Sequence, residues 1–540
     1  MLPEAARGRG ASTNPSGRFE RLRLDVVPAD DPEDSTGESP PVRTEYFDDT
    51  TRTIHEKKGW RMMRPVRPVG LLAVMACLSA TSCAVNPATG QRQLVLMSEG
   101  QEVALGREAD QSVQGEMGVY PDETWQGYMQ ELGSSLAART ERPDLPWTFR
   151  VVDDPIVNAF ALPGGFIYMT RGILAHFNSE AELASVLGHE IGHVTGRHGV
   201  EQASQAQLAS IGLGVAAISS ERFARVAGLA QTGLGLMFLR FSRDHEREAD
   251  DLGLRYMTRG NYDPTEMPKV FLTLQRVSAA QGAGRVPGWL STHPDPGDRA
   301  ERITQQIGSL PPDPARSVVN RDTYVQRLHG LVYGNNPRDG YTIDGTFYHP
   351  ELRFELTFPS GWPVSNQRQA VAAVNEQQDA VVVLSLSAER TPADAARAFF
   401  AQEGLERGQT SRPGFTYFRT VPNPNQTSVV GLAGFFTHEG RVFQLLGYAA
   451  ESAWSRHGRA MEESLSSFRT VTDRRYLDVQ PAHVELVRLD RALTVEEFAR
   501  RFPSSIDTQQ VAILNGVDAN GRFDAGQLVK RVVGGELPGR

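Results

Sequence analysis

Apolar positions recur along this chain with different rhythms, and each rhythm predicts a different element. Residues 179–199 read SEAELASVLGHEIGHVTGRHG. Leu183, Val186, Leu187, Ile191 and Val194 return at three- and four-residue steps, the period of a helix. Ser179 followed by Glu182 has the spacing of a capping box for its first turn. Gly188 and Gly192 cost a helix about 1 kcal/mol each relative to Ala, so they predict close approach by another backbone or by a metal site. Gly196 and Gly199 are the expected stop. A second, more acidic helix is expected over 241–257, FSRDHEREADDLGLRYM. Residues 158–174, NAFALPGGFIYMTRGIL, read instead as a β-rich run broken by a Pro163-Gly164-Gly165 turn.

Farther on the pattern shifts. Residues 311–345 are loop-rich (PPDPAR, YGNNPRDG) and mark a boundary. From about 346 the segments FYHPELRFELTFPSGW and DAVVVLSLSAE read as strands. TPADAARAFFAQEG reads as a helix capped by Thr391, and SVVGLAGFFTHEGRVFQLLGYA as a hairpin turning at His438-Glu439-Gly440. WSRHGRAMEESLSSFR closes this unit as a helix. Residues 346–472 thus form an α+β accessory or partner-binding module with no catalytic constellation. A third unit, 474–540, holds the amphipathic LTVEEFARRF and then VAILNGVDANGRFDAGQLVKRV.

Composition narrows the class. The chain has 540 residues, enough for two to four domains, with 40% hydrophobic and 22% charged residues. Net charge is −9 and no basic stripe stands out, which argues against a nucleic-acid partner. No apolar run reaches the roughly 18 residues a bilayer needs. The nearest, 208–218 and 226–239, are expected to be buried or to cover a cleft, with membrane contact as the alternative.

The motif that carries chemistry is His189-Glu190-Ile191-Gly192-His193. At about 100° per residue, positions four apart share one helical face, so both imidazoles reach one metal ion. Glu190 sits at the edge of that face, where it can deprotonate a water activated by the metal. The bland alternative is two surface histidines. A catalytic zinc needs a third protein ligand, and the acidic helix is its obvious source. Glu246 would bind zinc, and Asp250, four residues on, would accept a hydrogen bond from a ligand histidine. A solvated acidic helix paired with Arg243 and Arg247 is the competing reading at this point. His198 lies about 140° round a helix from His193 and is expected to face elsewhere, as a supporting or structural residue. His176 and His245 are expected at the surface or in packing. His55, in HEKKG, lacks the second histidine and is a decoy.

HEIGH followed by SRDHEREAD resembles the HtpX-like and CAAX-protease-like zinc metallopeptidases of the gluzincin group, and most of all their periplasmic BepA-like branch. The resemblance spans roughly residues 84–310. It implies a mainly α-helical zincin-type catalytic domain with a small β-sheet, binding one Zn²⁺ per chain through His189, His193 and Glu246, not Glu248. It implies Asp250 as the supporting carboxylate. Phe241 stands where the family usually has Tyr. STHPDPGDR matches a segment whose histidine lies by the zinc and whose arginine supports the site; these are His293 and Arg299 here. His293 would steady the oxyanion or gate the open zinc position. Asn158, Ala159, Phe160, Ala161, Gly164 and Gly165 match the family's strand and turn before the metal helix, an exposed edge along which an extended peptide could lie. The bland reading of this run is an ordinary hairpin. Leu514-Asn515-Gly516 and Ala525-Gly526-Gln527-Leu528 resemble a degenerate LysM module, a type that binds peptidoglycan in other proteins.

Residues 62–83, MMRPVRPVGLLAVMACLSATSC, resemble a lipoprotein signal peptide. Arg64 and Arg67 form its basic start, Val69–Leu78 its short apolar core, and Ala80-Thr81-Ser82-Cys83 its lipobox. Cys83 is then the lipidated residue, with Cys77 the weaker alternative. Residues 1–61 have the composition of a disordered or misassigned extension, so that translation starts at Met62 or Met63.

The expectation is therefore an α+β, multidomain chain: extension 1–61, signal peptide 62–83, metallopeptidase domain 84–315, accessory domain 346–472 and LysM-like module 474–540. It would be held by its lipid anchor on the periplasmic side of the cell envelope, the outer membrane favoured over the inner. Its partners would be unfolded or misassembled envelope proteins, with peptidoglycan or assembly machinery possible at the C-terminal units. The alternatives are a latent or non-catalytic zinc-binding chaperone or assembly scaffold, and a peptidoglycan-binding envelope protein.

Overall fold

The computed structural model describes residues 83–212, 241–281, 288–293, 296–411, 414–421 and 427–539. The signal-peptide segment before Cys83, the extension 1–61 with His55, and the apolar run 226–239 lie outside the described residues, as does 208–218 beyond its first turn. Among the described residues no helix is long and apolar enough to cross a membrane. The chain divides into two compact units, one built from residues up to 340 together with 473–540, the other from 341–366 and 370–472.

The first unit opens with β1 (Cys83–Val85) and β2 (Arg92–Leu94), an antiparallel pair, then α1 (Glu99–Glu116) and α2 (Glu123–Ala137). A three-stranded sheet follows, made of β3 (Thr148–Val152), β4 (Ala159–Leu162) and β5 (Phe166–Thr170) in the order β3-β5-β4. β5 pairs parallel with β3 and antiparallel with β4. The turn between β4 and β5 carries Gly164 at φ +77 and Gly165 at φ +100, backbone angles that favour glycine. A Cβ on Gly164 would also sit 2.6 Å from Val103 Cα. Among the described residues β4 is the last strand of its sheet, and Ala159, Phe160 and Leu162 are buried there.

After the short α3 (Arg171–His176) comes the central helix α4 (Glu180–Thr195), buried over all of residues 181–195. Its apolar spacing makes it a helix, and Leu183, Leu187 and Ile191 contribute roughly 1.5–3 kcal/mol each by burial. Ser179 Oγ accepts from the Glu182 amide, as the capping spacing predicts. The return half of a capping box is absent, since the Glu182 carboxylate accepts from the Asn178 amide at 2.7 Å instead. Gly196 caps α4, and Arg197 at φ +58 turns the chain straight into α5 (His198–Gly212). Gly199 therefore lies inside the next helix and does not end the first. Arg197 is held in that conformation by Glu102 and by the Met97 carbonyl.

α6 (Arg243–Arg259) lies directly against α4. The glycines explain how: a Cβ on Gly188 or Gly192 would meet the Gly253 or Ala249 carbonyl oxygen at 2.9 Å. The unit continues through α7 (Met267–Gln281), α8 (Gly288–Thr292), α9 (Pro296–Gly308) and α10 (Arg321–Arg327). The segment read as a loop-rich boundary is thus partly packed structure. Tyr324 is fully buried and its hydroxyl donates to the Leu174 carbonyl.

The second unit is α+β. β6 (Tyr341–Ile343), β7 (Thr346–His349) and β8 (Phe354–Thr357) belong to a four-stranded sheet. A seven-stranded sheet holds β9 (Val364–Asn366), β10 (Ala370–Val374), β11 (Ala380–Leu386), β12 (Leu405–Thr410), β13 (Thr416–Thr420), β14 (Val429–His438) and β15 (Arg441–Ala450). α11 (Pro392–Phe400) is capped by Thr391, and β14 turns into β15 at Glu439 and Gly440, both at positive φ. α12 (Glu451–Leu465) packs on this sheet, and β16 (Arg469–Thr470) completes the smaller one.

The C-terminal residues return to the first unit. β17 (His483–Arg488) pairs antiparallel with β20 (Leu528–Val533). Between them lie β18 (Leu493–Thr494), α13 (Val495–Arg501), α14 (Thr508–Leu514) and β19 (Arg522–Phe523). The segment has a small core of its own around Phe498 and Phe523, yet Val484, Ile513, Leu514 and Val532 join the main core of the first unit. Lys530 is buried there, its Nζ donating at 2.8 Å to the carbonyls of Ala175 and Phe177.

Candidate metal centre

His189 and His193 project from α4, Glu246 from the first turn of α6, and His293 from just after α8. One ligand atom from each lies within 4.8 Å of all the others, and all four residues are buried. His189 Nε2 is 3.1 Å from His193 Nε2 and 3.7 Å from Glu246 Oε2. His193 Nε2 is 3.5 Å from Glu246 Oε1. Four donors about 2.05 Å from a tetrahedral zinc would be roughly 3.3 Å apart, so the donor set and its spacing fit zinc. The bland reading of two surface histidines fails on burial alone, as does that of a solvated acidic face.

His293 is the fourth member of the cluster. Its Nδ1 is 2.8 Å from Glu246 Oε1 and 3.3 Å from His189 Nε2, while its Nε2 is 3.6 Å from Glu190 Oε1. Trp289 stacks on its ring at 4.8 Å. Trp289 also donates its backbone amide to the Val157 carbonyl, which ties this segment to the start of β4. Glu190 is wholly buried, and neither of its carboxylate oxygens has a hydrogen-bond partner among the described residues. Buried carboxylates are normally satisfied, so an orphaned one beside a donor cluster marks a working site. Burial pushes its carboxyl above the usual range, against the pull of His293 and His189.

The supporting charges are tightly arranged. Asp250 Oδ1 lies 3.1 Å from His189 Nδ1 and accepts from Arg299 Nη2 at 2.6 Å, while its Oδ2 accepts from Arg299 Nε at 2.9 Å. Burial opposes the charge on Asp250, but Arg299 and His189 hold its carboxyl down at about 2. Arg299 also reaches Glu246 Oε2 at 2.9 Å, and its guanidinium lies 4.6 Å from the ring centre of Phe271 and 4.8 Å from that of Trp289. Against the cost of burial, His293 and Arg299 keep Glu246 well below the ordinary carboxylate range. Burial also holds His193 well below the usual histidine value.

All the residues predicted for the site except Cys83 and the 158–165 strand converge on this cluster. That strand borders it through residue 157. His176 is buried, with Nδ1 2.8 Å from the Gly172 carbonyl, and is a packing histidine. Three residues were not foreseen in the place they occupy. Phe241 stacks on His193 with ring centres 3.9 Å apart. His198 does not face away: the left-handed Arg197 breaks the helix and swings it back, so that its Nδ1 is 3.0 Å from His193 Nδ1. Glu248, passed over as a ligand, stands behind His198. The only sequence signal for this turn was the Gly196-Arg197-His198 interruption, and a continuous 3.6-residue helix is blind to it.

An orphaned buried carboxylate beside a histidine and glutamate donor set is the equipment that metal-assisted hydrolysis requires. Residues 123–307 match the model of peptidase family M48. Among curated proteins it is similar to the beta-barrel assembly-enhancing protease of Escherichia coli (strain K12), 28% identical over 275 residues, 49% of this chain and 55% of that protein. It is 36% identical to the mitochondrial metalloendopeptidase OMA1 of Arabidopsis thaliana over 31% of this chain and 33% of that protein. The mitochondrial metalloendopeptidase OMA1 of Bos taurus is 27% identical over 50% and 53%. The chain spans about half the length, or less, of these relatives.

Proposed function

We propose that this chain is a zinc-dependent endopeptidase of the bacterial cell envelope that hydrolyses peptide bonds in unfolded or misassembled envelope proteins. One observation carries the reading: ligand atoms from two helices converge at tetrahedral spacing beside the orphaned carboxylate of Glu190. His189, His193 and Glu246 would hold the zinc. Bound there, it would lower the pKa of a water and polarise the scissile carbonyl. Glu190 takes the water's proton and returns it to the leaving amine, and a carboxyl raised by burial suits both directions. Asp250 accepts from His189 Nδ1, which leaves the Nε2 lone pair facing the cluster. Arg299 balances the two carboxylates and lies against Trp289, the ring stacked on His293. An extended substrate would add as a further strand beside β4, the last strand of its sheet among the described residues.

The envelope assignment rests on the similarity to the Escherichia coli protease and on the lipobox reading of Cys83 as an outer-membrane anchor. The Leu514-Asn515-Gly516 and Ala525-Gly526-Gln527-Leu528 elements support the LysM-like reading and, with it, contact with peptidoglycan or assembly machinery. A latent protease is favoured by one specific observation, the position of His293 as the fourth member of the cluster. In that state His293 must swing aside before a substrate carbonyl can enter.

The test is cleavage of an unfolded polypeptide by the chain from residue 84 onward. The wild-type protein cuts it and Glu190→Gln does not; equal rates would remove the catalytic assignment. If the wild-type protein binds zinc yet is inactive, His293→Ala restores cleavage only while Glu190 is present.

A further inference from the structure

His193 has two nitrogens, and only one of them faces the donor cluster. Its Nε2 lies among the other ligand atoms, while its Nδ1 lies 3.0 Å from Nδ1 of His198, a residue with no exposed surface. A neutral imidazole carries one proton. If Nε2 of His193 offers its lone pair to a metal, the proton must sit on Nδ1. That N–H then donates to His198 Nδ1, which must be bare, so His198 carries its own proton on Nε2. His198 Nε2 faces Glu248 Oε1 at 3.5 Å, an ion-pair contact longer than a normal hydrogen bond, and has no hydrogen-bond partner among the described residues. Glu248 is fixed in turn by Asn86, whose Nδ2 donates to Oε1 at 2.7 Å and also lies 3.3 Å from the Gly196 carbonyl. The His198 ring is steadied from its other face by His245, stacked at 4.4 Å, and His245 Nε2 is 3.3 Å from Glu201.

The two ligand histidines are therefore supported differently. His189 meets a carboxylate directly, whereas His193 meets one through a second imidazole. We propose that His198 is a positioning residue for the metal centre, setting the tautomer and orientation of His193 and linking it to the carboxylate of Glu248. The linkage explains the left-handed Arg197 at the end of α4. Without that break His198 would face away, and His193 Nδ1 would be a buried donor lacking this partner.

The inference rests on the reading of His189, His193 and Glu246 as a zinc site, and the experiment separates the two. Zinc affinity is measured by chelator competition on the full chain, with the cobalt-substituted protein's absorption as a second readout. The variants are His193→Ala, His198→Phe, His198→Gln and Glu248→Ala, and the thermal midpoint of each zinc-free protein is recorded. His198→Phe keeps the bulk and removes the acceptor, and it weakens zinc binding about 10- to 100-fold, as loss of a supporting partner does elsewhere. His198→Gln, whose amide accepts from His193 and donates to Glu248, recovers most of the loss. Glu248→Ala, at a partly exposed side chain, weakens binding less and leaves the fold intact, so it decides the matter should His198→Phe fail to fold. Zinc affinity within twofold of wild type in both His198→Phe and Glu248→Ala overturns the proposal. So does a second zinc equivalent lost with His198, which would make it a ligand of its own site. An unaltered affinity in His193→Ala overturns the zinc-site reading itself.

Discussion

Adding one methyl group at Gly253 tests how the fold sets the metal centre. Gly253 sits on α6 where that helix touches α4, and a Cβ there would meet His189 N at 2.9 Å, His189 Cα at 3.1 Å and the Gly188 carbonyl carbon at 3.2 Å. Ordinary carbon contacts are about 3.5–4.0 Å, so the helices must separate by roughly half an ångström. Glu246 and Asp250 ride on α6, while His189 and His193 ride on α4. The move therefore stretches the donor spacing itself. Helix propensity alone favours Gly253→Ala by about 1 kcal/mol. Overpacking against backbone costs about 1–3 kcal/mol, which leaves a net loss of about 0–2 kcal/mol. Urea unfolding of the zinc-free protein and chelator competition for zinc read the two consequences separately. The expected result is a lowered midpoint and zinc binding weakened about tenfold or more, on the scale of supporting-residue losses. A variant about 1 kcal/mol more stable than wild type, with unchanged zinc affinity, would refute the reasoning.

Other consequences can be checked as directly. Arg299→Lys replaces a fork that grips Asp250 and Glu246 with a point charge, and zinc affinity falls about tenfold in chelator competition. Burial holds His176 down at about 4, whereas in the unfolded chain it titrates near 6.5. The unfolded state therefore binds more protons between these values, so stability is full above pH 6.5 and falls toward pH 4, by on the order of 3 kcal/mol. His176→Gln flattens that limb of the stability–pH curve, and equal slopes in the two proteins would contradict it. Leu514→Ala, at a fully buried position in the main core of the first unit, costs about 2–5 kcal/mol by chemical denaturation if the C-terminal segment is part of that core. A cost confined to a separate C-terminal transition would show that it is not.

The sequence announced the metal helix because three independent demands fall on the same residues. Apolar spacing makes α4 a helix, the four-residue step puts both histidines on one face, and Gly188 and Gly192 reveal that another backbone must come close. Glu246 and Asp250 were legible by the same spacing. What periodicity cannot see is a break in the period. Arg197 at positive φ redirects His198, and no residue type there signals it, because its conformation is fixed by distant partners, Glu102 and the Met97 carbonyl. Domain limits were obscured for a related reason. Residues 473–540 look like a separate module locally, yet Val484, Ile513, Leu514 and Val532 bury themselves in a core built mostly before residue 340. Long-range packing of that kind leaves no local pattern. The strand β4 was foreseen as an exposed edge; it is the last strand of its sheet among the described residues, but Ala159, Phe160 and Leu162 are buried.

The central claim is that His189, His193 and Glu246 form a zinc site. Crystals of the zinc-loaded protein, measured on both sides of the zinc absorption edge, test it most directly. The account predicts one strong anomalous peak within about 2.0–2.2 Å of His189 Nε2, His193 Nε2 and a carboxylate oxygen of Glu246. A fully occupied zinc peak elsewhere, or none at this cluster in protein shown to contain one equivalent of zinc, would contradict it.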